Sequence, residues 1–262
     1  MALADQFDGL LIDFDGVVWI GPDPVPGSPE TLAALLGAGK ELAFVTNNPS
    51  RQPAAYAEKL ATIGVEVGPE RIVTAGLVAA RLAAAVAGRE GATVYVVGST
   101  ALRGTIAAAG LTVLEGEAGR EADVVVVSGY RGFDFEMLLT AKLALDRGAA
   151  FIGTSHDPTM PLPGGDWPGS GAVLAAVETA SGRRAEIAGK PQRHLFEMAL
   201  EAIGRPPRAA MVGDRLDSDI DGGRAAGLET VLVLSGASSR ADAEAAEPPP
   251  GHVIENLSGL LL

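Results

Sequence analysis

Gly9-Leu10-Leu11-Ile12-Asp13-Phe14-Asp15-Gly16-Val17-Val18-Trp19 decides the reading of this chain. An uninterrupted apolar run ends in two acids one residue apart, and a glycine follows. Leu10, Leu11 and Ile12 predict a strand in a sheet covered on both faces, since such a strand has no polar side. Asp13 and Asp15 then fall at its C-terminal end, where open α/β sheets place their ligand sites. Strand alternation turns both carboxylates to one side unless the chain already bends at Gly16. Two carboxylates that close repel, so a cation or a shared proton has to offset them.

Three further segments are built alike: Val45-Thr46-Asn47-Asn48, Ala188-Gly189-Lys190-Pro191 and Met211-Val212-Gly213-Asp214-Arg215-Leu216-Asp217-Ser218-Asp219. Each is an apolar run ending in small or polar residues, and predicts a strand that delivers its tip to a common sheet edge. Around them strand and helix signals alternate. Strands are expected near 9–14, 40–45, 71–74, 186–188, 208–212 and 229–234, with helices near 29–36, 52–63, 77–86, 192–203 and 218–226. Ser28 is the expected N-cap of the first helix, with Pro29 at its first position. Gly64 is placed to end the second. Between these halves lies another α/β block, with strands near 93–97, 124–128 and 150–152 and helices near 101–109, 135–145 and 171–179. The fold class is therefore α/β: a Rossmann-like, doubly wound parallel sheet with an inserted α/β block. The stretch 241–251, with Pro248-Pro249-Pro250, reads as a surface connection.

Composition narrows the function. The chain has 262 residues, 47% of them hydrophobic, enough for one large domain or two modest ones. Cysteine is absent, which excludes disulfides and thiolate chemistry and fits a cytoplasmic enzyme. No stretch approaches a membrane span and the first residues do not form a signal peptide. A net charge of −13 argues against nucleic acid or an anionic membrane as partner. An anionic substrate would need a metal and a few placed cations. Gly189-Lys190-Pro191 lacks the glycine spacing of a P-loop, and Ser155-His156-Asp157 cannot form a hydrolase relay from adjacent positions.

The order of paired Asp, Thr, Lys and then Gly-Asp, with a second Asp five residues on, resembles the four motifs of the haloacid-dehalogenase-like phosphatases. The stretches from Asp15 to Trp19, from Thr46 to Arg51 and from Gly213 to Ile220 are similar to their para-nitrophenyl-phosphatase-like branch, also called subclass IIA or N-acetylglucosamine-operon type. The resemblance runs from Phe7 to about Val233. Between Thr46 and Lys190 lie 143 residues, against 30 between Asp15 and Thr46. That branch carries a large α/β cap in the longer gap, which implies a core of 1–79 with 187–262 and a cap of 80–186.

The resemblance implies a Mg²⁺-dependent phosphomonoesterase working through an aspartyl-phosphate. Asp13 is the expected nucleophile and Asp15 the acid that protonates the leaving alkoxide and then activates water. Asp13, Asp214 and the backbone carbonyl of Asp15 are the expected metal ligands. Thr46, Asn47 and Asn48 are expected at the phosphate, with Lys190 as its fixed positive charge. Asp219 and Ser218 orient the groups around the metal, while Asp217 is an ordinary solvated acid. Specificity is expected in the loop 154–162, through His156, Asp157 and Met160. Substrates of the polyol or sugar phosphate, phosphoglycolate or nucleotide class follow, as does a homodimer through the cap. Phosphomutases keep both acids but generally carry their cap between the first two motifs. A non-catalytic metabolite-binding homologue would have lost an essential residue, and Asp13, Asp15, Thr46, Lys190 and Asp214 all stand.

Overall fold

The computed structural model describes residues 2–162 and 165–262. The chain opens with β1 (Gly9–Asp13), β2 (Trp19–Ile20), β3 (Asp23–Pro24), α1 (Ser28–Gly37), β4 (Glu41–Thr46), α2 (Pro53–Thr62), β5 (Ile72–Thr74) and α3 (Ala75–Ala87). It continues through β6 (Thr93–Val97), α4 (Thr100–Ala108), β7 (Thr112–Leu114), β8 (Val124–Val127), α5 (Phe135–Asp146) and β9 (Ala150–Gly153). Next come β10 (Thr159–Leu162), β11 (Gly165–Pro168), α6 (Ser170–Ser181) and β12 (Glu186–Ile187). It closes with α7 (Arg193–Ala202), β13 (Ala209–Gly213), α8 (Asp221–Ala225), β14 (Glu229–Val233), α9 (Arg240–Ala245) and β15 (His252–Ile254). Among the described residues no helix is long and apolar enough to cross a membrane.

Two compact units emerge. The first comprises the chain up to Thr46, Pro53–Val73 and Lys190–Leu262. Its sheet has six strands in the order β15-β14-β13-β1-β4-β5, with β1 parallel to both β13 and β4. All five residues of β1 are buried, as a strand covered on both faces requires. Leu10 and Ile12 join Phe44, Val212 and Val231 in one apolar cluster, while Leu11 is buried outside it, as alternation to the other face of the sheet requires.

The second unit comprises Asn47–Gln52 and Thr74–Gly189. Its five-stranded sheet runs β12-β9-β8-β6-β7, with parallel pairing throughout. Val125 and Val127 pack there with Ala141, Ala144, Leu174 and Val177 from α5 and α6. The strand expected at 186–188 alongside the first sheet is β12, the edge of this one, paired with β9. α3 packs on β8 and β9, which ties the chain from Thr74 onward to this unit.

Local chemistry corrects other expectations. Ser28 is the first residue of α1, and Gly27, at φ 82°, takes the N-cap position. The Ser28 hydroxyl instead donates to the carbonyl of Val18 at 2.8 Å. The short pairs β2–β3 and β10–β11, the edge strand β7 and the outer strand β15 carry too little apolar periodicity to stand out in sequence. The stretch 241–251 contains most of α9 and leads directly into β15.

Candidate active site

Register builds the site. In the first unit Asp13 stands opposite Val45 and Ile12 opposite Val212, so the C-terminal ends of three adjacent parallel strands arrive together. β1 ends in Asp13, β4 in Thr46, and Asp214 directly follows β13. Asp13, Thr46, Lys190, Asp214, Ser218 and Asp219 are all buried.

Lys190 organises the acids. Its Nζ lies 2.9 Å from Asp13 Oδ1 and 2.6 Å from Asp219 Oδ1. The Phe14 N–H also donates to Asp13 Oδ1, at 2.8 Å. A π-helical turn over Leu216–Ile220 folds Asp219 back so that its Oδ2 accepts from the Arg215 N–H at 3.1 Å. Gly213 is required for this return, because a Cβ there would stand 2.3 Å from the Asp219 side chain. Ser218 is held in the same turn, and Asp217 is exposed and paired with Arg215.

A loop that the sequence reading missed holds Asp214. The Ala237 N–H donates to Asp214 Oδ2 at 2.6 Å, and the Ser238 N–H to its carbonyl at 3.0 Å. Cβ atoms at Gly16 and Gly236 would lie 2.4 and 2.0 Å from Asp214 Oδ2, so both glycines make room for the carboxylate. The signal was Ser235-Gly236-Ala237 just beyond an apolar strand at the same sheet edge.

Burial shifts the charges. It pushes the Asp13 carboxyl well above its ordinary range, only partly opposed by Lys190. Asp214 is pushed up to about 6, first by burial and then by the charge of Asp219. Burial works against the Lys190 ammonium, but Asp13 and Asp219 outweigh it and hold the proton more tightly than usual.

Asp13, Asp214 and Asp219 each place a carboxylate oxygen within 4.8 Å of the others. Three acids against one ammonium leave negative charge uncompensated. Asp214 Oδ1 is buried with no hydrogen-bond partner among the described residues. A hard divalent cation such as Mg²⁺ fits this oxygen-only donor set. Asp219 Oδ1 is ion-paired with Lys190 and its Oδ2 accepts from the Arg215 N–H, so Asp13 and Asp214 are the candidates for holding the ion. The Asp15 side chain lies outside the group. It is exposed, and its Oδ1 accepts from the Trp19 indole at 3.0 Å.

In the second unit, Asn47 Nδ2 donates to Asp157 Oδ2 at 3.0 Å, joining two residues 110 apart in sequence. Gly189 is packed against the same place, its N–H donating to the Thr154 carbonyl at 2.9 Å. Asn48 accepts from the Ser50 N–H at 3.0 Å and shapes its own loop. His156 is exposed, and Met160 is half-buried in β10 opposite Trp167.

This sheet edge and its buried acids define a hydrolase class. Residues 10–112 match the haloacid dehalogenase-like hydrolase family and 187–260 a HAD-hydrolase-like model. The chain belongs to the haloacid dehalogenase-like hydrolases, in their para-nitrophenyl-phosphatase-like branch. It is 41% identical to the human glycerol-3-phosphate phosphatase, over 92% of this chain and 83% of that protein. A glycerol phosphate phosphatase from Mycobacterium tuberculosis, solved in complex with magnesium, superposes with a TM-score of 0.91. It is 37% identical, and the match covers 100% of this chain and 78% of that one. A p-nitrophenyl phosphatase from Archaeoglobus fulgidus gives a TM-score of 0.90 at 32% identity, covering 97% and 98%.

Proposed function

We propose that this chain is a Mg²⁺-dependent phosphomonoesterase that hydrolyses a small polyol or sugar phosphate, with glycerol phosphate the first candidate. The observation that carries the reading is Lys190, buried between Asp13 and Asp219 beside the unpartnered oxygen of Asp214. The named activities of the relatives support the substrate class.

Asp13 attacks phosphorus, forming an aspartyl-phosphate as the bond to the leaving oxygen breaks. Asp15 gives its proton to the departing alkoxide. It then takes a proton from water, which attacks the same phosphorus, releases inorganic phosphate and restores the Asp13 carboxylate. Thr46 donates its hydroxyl to the phosphoryl oxygens, and Lys190 keeps Asp13 aimed while adding a compact positive charge. Asp13, Asp214 and the Asp15 carbonyl would hold Mg²⁺, which when bound would supply the positive charge that lets a carboxylate approach an anionic ester. The second unit selects the substrate through Asp157, His156 and Met160.

The test is hydrolysis of glycerol 3-phosphate and para-nitrophenyl phosphate with and without Mg²⁺. Chelation abolishes turnover of both and added Mg²⁺ restores it. Asp13→Asn is inactive, and substantial steady-state turnover by that folded variant would overturn the reading.

A further inference from the structure

Directly after β1 the chain coils tightly. The Phe14 carbonyl accepts the N–H groups of Val17, Val18 and Trp19, and the Gly16 N–H donates to the Trp19 carbonyl at 2.8 Å. The coil returns Trp19 to the side of Asp15, and the two residues form an isolated β-bridge.

The Trp19 ring is fixed on both sides. It stacks on Phe14 with centroids 4.4 Å apart, and Phe14 in turn stacks on Phe44 at 5.3 Å and on Tyr56 at 4.9 Å. Lys59 Nζ stands 3.7 Å from the indole centroid and is itself anchored on the Gly21 carbonyl at 2.9 Å. Only 2% of Trp19 is exposed. Packing of this kind needs only the ring. An indole also has one hydrogen-bond donor, and here it goes to Asp15 Oδ1 at 3.0 Å. Asp15 itself is exposed, where a carboxylate samples several rotamers unless something holds it.

We propose that Trp19 is the positioning residue for the proton donor: its clamped indole N–H holds one oxygen of Asp15 and so presets the other for the leaving group. This rests on the reading of Asp15 as general acid. Trp19 acts only through Asp15. A misaimed acid is costly where the leaving alkoxide is a poor one and matters little where para-nitrophenolate departs unaided.

The variant Trp19→Phe keeps an aromatic ring and removes the donor. With Mg²⁺ present, kcat/KM, which reports the step in which the leaving group departs, should fall about tenfold to a hundredfold for glycerol 3-phosphate and less than about threefold for para-nitrophenyl phosphate. Water activation by Asp15 in the second step is common to both esters and lowers their kcat values alike, so the difference in kcat/KM between the esters is the readout. Asp15→Asn should show the same discrimination more strongly, and adding Trp19→Phe to it should widen the gap no further. Equal losses on both esters in Trp19→Phe, beside a clear split in Asp15→Asn, overturn the role of Trp19 alone. No split in Asp15→Asn removes the general-acid reading and this inference with it. If thermal melting shows that Trp19→Phe does not fold, Lys59→Met decides, because it loosens the ring and leaves the donor. A smaller split in the same direction supports the proposal, and a uniform change or none overturns it.

Discussion

Lys190 Nζ lies 2.9 Å from Asp13 Oδ1 with both side chains buried, so the Asp13 charge depends on Lys190, which Asp219 holds as well. Loss of one partner of a buried ion pair typically costs about 3–5 kcal/mol, because an uncompensated charge stays behind. Lys190→Met should destabilise by that order in urea unfolding and lower kcat at least about a hundredfold. Adding Asp13→Asn should recover part of the stability and none of the activity. A single variant as stable as the parent would show that the pair is not what holds these charges.

The raised carboxyl of Asp214 makes metal-free stability depend on pH. Its folded value of about 6 lies above the ordinary 3.8, so the folded state binds a proton that the unfolded chain releases. That group therefore disfavours the fold above pH 6, and the penalty disappears as pH falls towards 4. In the absence of Mg²⁺, Asp214→Asn should be more stable than the parent at pH 7, by up to about 3 kcal/mol, with the gap closing near pH 4. A gap independent of pH in denaturant titrations would contradict this origin.

Gly236 tests the metal site without removing a ligand. Its added Cβ would meet Asp214 Oδ2 at 2.0 Å, so Gly236→Ala must displace the carboxylate or the loop. Saturating Mg²⁺ should stabilise the parent through linkage, by about 2.7 kcal/mol at a hundredfold excess over Kd, and so raise its melting point. In Gly236→Ala the same rise should need several-fold more Mg²⁺, and in Asp214→Asn it should vanish. Equal Mg²⁺ dependence in all three proteins would place the ion elsewhere.

Asp157 and Asn47 form a unit whose loss should alter substrate choice. Asp157→Ala removes the 3.0 Å acceptor of the Asn47 amide and a polar group from the loop 154–158 ahead of β10. The ranking of kcat/KM over a panel of polyol, sugar and aryl phosphates should change, because discrimination is a difference in transition-state binding. His156→Ala and Met160→Ala extend the test. Uniform losses across the panel would move specificity to other residues.

The sequence by itself determined the α/β class, the order of the principal strands and helices, and the residue types of the site. Each of these is written in local pattern: apolar runs such as Leu10-Leu11-Ile12, the acids after them, and turn glycines such as Gly64. Tertiary structure decided what those residues are to one another. Register alone sets Asp13 opposite Val45, and the π-helical return at Leu216–Ile220 pairs Asp219 with Lys190, a relation between residues 29 apart with no periodic signal. The loop at Gly236 was hidden because its contribution is room and a backbone N–H, which any small residue sequence can offer. Trp19 was visible as a motif residue, but only the coil after β1 turns its one donor onto Asp15. The edge strands were misjudged because a pair such as Glu186–Ile187 is specified by its neighbour β9 and not by its own composition. Local sequence fixes which groups are present and what each can do. Packing fixes their distances and burial, and these set the charges on which the chemistry depends.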